Sequence, residues 1–333
     1  MSATIRDIRR LTGLSLATIS KYLNGGNVLP ENRIRIEKAI DELGYEVNEI
    51  ARWLATKKTR TIGVIVYDIQ SLFNSTLLSY IGESLRTAGY GLLICDSADN
   101  AEQEGKNIRF LLSKKVDGIL LGPVDGEEHD LAPATEGGIP VVLLDRPVSG
   151  RPCVKIDNIS AADDAVELLF ENNHHRIAII GSDGEYTGRK RCEGYVSALR
   201  RHGCPLKDLY IRIGKGKASI QFGYESMKQL LSLKEMPTSV FMTNYEITLG
   251  AVMAVNESSV RCPEDISLLG FDNLILSQIV KPKMTMVVQP MRAMGEKAVE
   301  ILLKLMDQTE GFVCPEEVNL PTTIEFGNSI RKY

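Results

Sequence analysis

The chain has 333 residues, 44% of them hydrophobic and 25% charged, with a formal net charge of -4. Roughly two or three domains with real cores fit this length. No apolar run approaches the ~20 residues needed to span a bilayer, and the start MSATIRDIRR lacks the apolar core of a secretory signal, so a cytoplasmic location is expected. Taken whole, the charge argues against a nucleic-acid binder. Split at residue 60 it does not: the first part carries 11 Lys/Arg and 7 Asp/Glu, a balance of +4, and the rest 28 and 36, a balance of -8. A basic N-terminal module on an acidic body places any DNA contact at the N-terminal end.

Thr4-Ile5-Arg6-Asp7 is a capping-box pattern with Asp in place of Glu. It starts a helix with Ile5, Ile8 and Leu11 on one face. Gly13 supplies a tight turn, and Ser15 caps a second helix, LATISKYLN, with Leu16, Ile19 and Leu23 spaced to face a core. Asn24-Gly25-Gly26 ends it. Pro30 opens a third helix, in which Ile36, Ala39, Ile40 and Leu43 form a helical stripe. Two short helices joined by a turn and braced by a third make either a helix-turn-helix or a plain three-helix bundle. In the first case, the second helix enters the major groove.

The residue string decides between them. TIRDIRRLTGLSLATISKYLNG resembles the DNA-binding headpiece of the LacI/GalR family of bacterial transcription repressors, through Thr4, Asp7, Ile8, Gly13, Ser15, Thr18, Ser20 and Asn24. Arg9 and Thr12 depart from the family's Ala, Leu29 replaces a Ser or Thr cap before Pro30, and Lys21 stands where Arg is common. The resemblance implies that Leu16, Ala17 and Lys21 face base edges, while Thr4, Ser15, Thr18, Ser20 and Asn24 hold phosphates or the turn. It also implies that NEIARWLA, Asn48 to Ala55, is the hinge helix. Such a segment is too short to be stable alone, and is expected to fold when two protomers meet on DNA. Asn48 opens it, Ala51 packs on the partner helix and Leu54 wedges into the minor groove. Trp53, the one tryptophan, sits beside the wedge and is expected to pack on its own headpiece. The expected division is therefore 1–46 headpiece, 47–59 hinge helix and linker, and 60–333 effector-binding and dimerisation core.

From Thr61 on, apolar runs alternate with amphipathic stretches. TIGVIVYD, GLLICDSA, DGILLGP, IPVVLLDRP, RIAIIGSD, SVFMTN and ISLLGFDN read as strands, most of them separated by helices. This predicts parallel sheets covered by helices, with ligands beyond the carboxyl ends of the strands. The pattern restarts near residue 160, which predicts an α/β core of two lobes with a cleft between them. The later stretch MTMVVQPMRAMGEKAVEILLKLM is expected to return to the first lobe. The whole body resembles the periplasmic-binding-protein-like core of the same family. The resemblance puts Arg191, Asn244 and Asp272 in an effector pocket, with Asp145 at a lobe edge, Asp68 and Phe73 after the first strand, and Phe222 substituting for a stacking aromatic that aligns with Ala218. Tyr245 and Asn273 replace acids frequent in the family. The loss of an acid beside a retained Arg raises a sugar acid or phosphosugar as the effector, alongside a plain sugar.

The six cysteines are scattered with no CxxC pair, so reduced thiols are expected, and neither a zinc site nor a cofactor. His174 and His175 read as a helix cap or surface residues, with no third metal ligand at useful spacing. GKGKASIQFG follows no convincing strand, and no catalytic motif such as GxSxG, GxxxxGK[ST] or HExxH is present, so an enzyme is not expected. The reading is a DNA-binding regulator, a repressor in sign, switched by a small molecule. It acts as a homodimer on a pseudo-palindromic operator, with no membrane partner. The chain ends at GNSIRKY without an apolar heptad for a tetramer. The alternatives are a purine-like corepressor, a stand-alone ligand-binding protein, and a phosphoprotein-driven regulator. The last is disfavoured by Ala293 and Glu300 at the places where that branch of the family uses Asp and Arg.

Overall fold

A computed structural model of the chain describes residues 3–23, 26–45, 58–124, 131, 134, 137–216, 219–272 and 279–333. Asn24, the hinge residues Asn48, Ala51, Trp53 and Leu54, and Ala218 and Asn273 lie outside them. The chain forms two units, Met1–Arg60 and Thr61–Tyr333.

The first unit holds helices α1 (Ile5–Thr12), α2 (Leu16–Leu23) and α3 (Pro30–Leu43). The backbone N–H and hydroxyl of Thr4 both donate to the Asp7 carboxylate, at 3.0 and 2.7 Å, and start α1. Gly13 ends it at φ 67°, a left-handed conformation that a side chain would strain. Ser15 Oγ accepts from Thr18 N–H at 3.1 Å and caps α2. The core is built from Ile8, Ile19, Ile36 and Ala39. Two expected core residues are not in it: Leu11 and Leu16 are 46% and 37% exposed. Thr12 takes the buried place on α1, and its hydroxyl is satisfied by donating to Ile8 O at 2.8 Å. Tyr22 of α2 donates to Glu37 of α3 at 2.9 Å and ties the two helices, and Arg33, one turn before Glu37, donates to the same oxygen at 2.9 Å.

The second unit is built on two sheets of six strands each. The first lobe contains β1 (Thr61–Val66), β2 (Gly91–Asp96), β3 (Gly118–Leu121), β4 (Val141–Leu144), β5 (Cys153–Ile156) and β11 (Glu317–Leu320), in the order β11-β5-β4-β3-β1-β2 and all parallel. Its helices include α4 (Leu72–Thr87) and α5 (Ala101–Ser113). The second lobe contains β6 (Ile177–Ser182), β7 (Ile211–Gly214), β8 (Ser239–Met242), β9 (Ser267–Phe271), β10 (Thr285–Val288) and β12 (Thr323–Glu325), in the order β12-β10-β9-β8-β6-β7. Only the β10–β12 pair is antiparallel. Its helices are α6 (Asn158–Glu171), α7 (Tyr186–Arg201), α8 (Ile220–Leu231) and α9 (Tyr245–Asn256). Gly250 lets α8 and α9 approach: a Cβ there would lie 1.9 Å from Ile220 O.

The restart near residue 160 is the beginning of α6. The stretch from Met284 onward divides rather than returning whole: β10 completes the second sheet, and α10 (Met291–Met306) crosses back onto α4 and β3–β5. GKGKASIQFG does follow a strand, the edge strand β7, whose four residues are all only half-buried and so lack the apolar run that marks a central strand. His174 is fully buried rather than at the surface. One ring nitrogen pairs with Thr238 Oγ1 at 2.9 Å and the other with Arg331 O at 3.0 Å, which fastens the C-terminal segment to the second lobe.

Ile19→Ala removes one of four buried residues from the small N-terminal core, at a cost of roughly 2–5 kcal/mol. Cores of this size supply about 3–5 kcal/mol in total. Calorimetry and circular dichroism should therefore show the headpiece unfolded at room temperature, DNA binding lost, and the melting transition of the larger unit unchanged.

Candidate functional site

In the headpiece, α2 turns Ile19 inward and leaves Leu16, Ala17 and Lys21 exposed, with Thr18 and Ser20 half-buried. Leu16, left at the surface, takes no part in the core of the headpiece. Arg6, Arg9 and Arg10 stand exposed on α1. Arg10 lies 3.3 Å from Asp7, and Arg35 reaches Thr12 O from α3.

In the second unit, the carboxyl ends of β1, β4, β6, β8, β9 and β10 converge on a cavity. It is lined by Phe73, Asp145, Arg191, Asn244 and Asp272 of the expected set, and by Tyr67, Ser71, Ser182, Glu185, Thr187, Glu246 and Gln289 besides. The space open to water-sized molecules is about 50 Å³, room for a few waters. Both sheets contribute, so the cavity is the cleft between the lobes.

Arg191 is buried and held before any ligand arrives. Its guanidinium lies 3.7 Å from the centre of the Phe271 ring. Nε donates to Asn158 Oδ1 at 2.8 Å, and Nη1 donates to Thr243 O at 2.7 Å and sits 3.5 Å from Asp272 Oδ2. Asp272 in turn accepts from Gln289 Nε2 at 2.6 Å. Asp145 and Asp272 follow β4 and β9 at φ 67° and 72°, left-handed positions that Asp tolerates better than most side chains. Each ends a strand in a different lobe and turns its carboxylate toward the cleft. Asp145 Oδ1 is buried without a hydrogen bond, and so is Gln289 Oε1. Burial pushes the Asp145 carboxyl above its ordinary range, against the pull of Arg146 and Arg191.

Arg146, next in the chain, is fully buried. It lies 3.8 Å from the Tyr67 ring centre and donates to the carbonyls of Pro123 and Val124 at 3.1 and 2.5 Å, and to Glu185 at 3.1 Å. Asn244 uses its Oδ1 to cap α9, accepting from Ile247 N–H at 2.9 Å. Two expected residues are elsewhere. Asp68 turns its carboxylate back to Gln70 N–H at 2.8 Å. Phe222 lies over Gly214 and packs into the core of the second lobe. Neither lines the cavity.

Ser182 and Gln289 could have been found by applying the strand-end rule to RIAIIGS and MTMVVQ as it was applied to VVLLD and GFD. Thr187 lies one helical turn before Arg191. Glu185 and Arg146 carry no such local signal. Four carboxylates and one guanidinium line the cavity, a surface rich in acceptors and suited to hydroxyl donors. Among the described residues, no group of three or more His, Cys, Asp or Glu is placed to hold a metal ion, and no helix is long and apolar enough to cross a membrane.

Residues 4–48 match the family described as bacterial regulatory proteins, lacI family, and residues 166–330 match the periplasmic binding protein-like domain. The chain is 35% identical to catabolite control protein A of Priestia megaterium, over 99% of this chain and 100% of that one. Its fold is similar to that of the lac repressor dimer bound to operator and the anti-inducer ONPF, with a TM-score of 0.85, 23% identity, and 99% and 100% of the two chains covered. It is also similar to the transcriptional regulator CelR in complex with cellobiose, with a TM-score of 0.72, 26% identity, and 98% and 99% covered.

Asp145→Asn tests the buried carboxylate. With its folded pKa raised above the ordinary 3.8, Asp145 favours the fold when protonated. That contribution is lost as the pH rises from the ordinary carboxylate range through the raised value. The variant should therefore melt roughly 2–8 °C higher than the parent at neutral pH, and the difference should vanish in acid. A variant less stable than the parent at neutral pH would sink this account.

Proposed function

The chain belongs to the LacI family of bacterial regulatory proteins, and on that premise we propose that it is a cytoplasmic transcriptional regulator, a repressor in sign. It binds a pseudo-palindromic operator through α2 and responds to a sugar-class effector in the interlobe cleft. The observation that carries this reading is the cleft itself, where strand ends from both lobes present buried polar groups that lack protein partners. Buried acceptors without donors are costly, and a polyhydroxyl ligand supplies the donors.

The effector is an uncharged polyol rather than a sugar acid or phosphosugar. Arg191 already commits Nε to Asn158 and Nη1 to Thr243, with Asp272 beside it, and four carboxylates line the cavity. An anion would enter against that field. Tyr245, where an acid is usual, is buried, and its neighbour Glu246 lines the cleft instead. The acid has moved by one residue rather than been lost.

The hinge that the family resemblance implies at 48–55 would need a second copy, so the working unit of this reading is a homodimer. Lac repressor, similar in fold, is a dimer on its operator, and CelR binds cellobiose. Both facts support the reading.

Selection of duplexes from a random pool should enrich a palindrome. Titrating that duplex while following Trp53 fluorescence should give an affinity that falls steeply with salt. Neutral sugars screened with the same signal should shift the affinity, and Asp272→Asn should weaken their effect about 10- to 100-fold while leaving operator binding intact. A response confined to phosphorylated or acidic sugars would overturn the assignment of the effector class. Failure to enrich any duplex would overturn the regulator.

A further inference from the structure

Arg146 and Glu185 lie 39 residues apart in the chain and belong to different lobes. Arg146 follows β4 of the first lobe, and that lobe holds it on several sides. The Tyr67 ring lies under its guanidinium, and Nη1 donates to the carbonyls of Pro123 and Val124. Val124 is itself placed by the fully buried Glu104, which accepts from its N–H at 2.8 Å. With Nη1 and the ring face committed, Nη2 points across the cleft to Glu185 at 3.1 Å. Glu185 sits at the N-terminal boundary of α7, the helix that carries Arg191. The pair is 0% and 18% exposed, so water screens it little. Glu185 also lines the effector cavity, and that cavity is small for a sugar.

We propose that the Arg146–Glu185 ion pair is a built-in latch that closes the two lobes on each other without help from a ligand. The proposal rests on the cleft being the effector site and adds how that site is regulated. Two consequences follow from the geometry. An effector in the cavity meets the latch directly, because Glu185 is part of the cavity wall. The pair also favours the closed arrangement of the core, because opening the lobes would separate a buried cation from its carboxylate. The effector then acts by its differential affinity for open and closed lobes. The latch sets the starting population from which it works.

The test is Glu185→Gln in the full-length protein, read by amide hydrogen exchange with no ligand present. Gln keeps an oxygen that can accept from Arg146 Nη2, and the Pro123 and Val124 carbonyls and the Tyr67 ring still hold the guanidinium, so the change removes the charge of the pair and leaves its other contacts. Exchange at 143–147 and 182–188 should speed up by about fivefold or more, while strands β1 and β8 keep their protection. Glu193→Gln is the control. Glu193 is on the same helix and carries the same charge, but pairs with Lys190 on the surface at 2.9 Å. It should leave both segments unchanged. Equal exchange in Glu185→Gln and parent would overturn the latch, as would an equal effect of Glu193→Gln. The readout needs no effector. If no sugar binds and exchange still responds, the effector reading fails and the latch stands. If a sugar binds and exchange does not respond, only the latch fails.

Discussion

A buried guanidinium needs partners for its charge and for most of its donors, and the cleft is organised around two such cations. Arg191 is answered within the second lobe by Asn158, Thr243, Asp272 and the Phe271 ring. Arg146 is answered by two carbonyls and the Tyr67 ring of its own lobe and by a carboxylate of the other. In both cases an aromatic at the end of a strand supports the flat face of the cation. The other cleft residues take their places around these two fixed cations. Asp272 is drawn to Arg191, Gln289 to Asp272, and Glu185 to Arg146. Unanswered atoms remain on both sides: the acceptors Asp145 Oδ1 and Gln289 Oε1, and the donors Arg146 Nε and Asn158 Nδ2.

The path of the chain joins the two lobes at the cleft. It passes from one sheet to the other at residue 157, at 289–290 and at 321–322. Each lobe keeps its own sheet and a core cluster of its own, while a third cluster of buried residues runs through both lobes. Residues that line the cavity lie beside these crossings, as Gln289 does, or on strand ends that face each other.

The strand reading from Thr61 onward finds the central strands β1, β3, β4, β6, β8 and β9 and the edge strand β2, all of which carry continuous apolar runs. It missed β5, β7, β10, β11 and β12. Several of these are edge strands or are short, and half-exposed residues such as those of β7 leave no such run. Asp145, Arg191 and Asp272 were legible as polar residues closing apolar runs or in a matched local string. Asp68 obeyed the same rule yet turned its carboxylate to a neighbouring N–H, a local choice that the rule does not see. In the headpiece, helical spacing alone put Leu11 and Leu16 inward. The three-helix core is narrow, and only the central residues of each stripe reach it.

The amino-acid sequence by itself determined the order of elements, the restart of the pattern at the second lobe, the headpiece caps, and the strand-end residues that carry most of the site. These follow from interactions between residues a few positions apart, where periodicity and capping chemistry act. Tertiary structure alone decided which charges meet. Arg146 with Glu185, His174 with the C-terminal segment, and Glu246 in place of an acid at Tyr245 depend on how two sheets and their helices approach in space. No local rule specifies that approach, because the free energy of a buried ion pair belongs to the pair and its shared surroundings rather than to either residue.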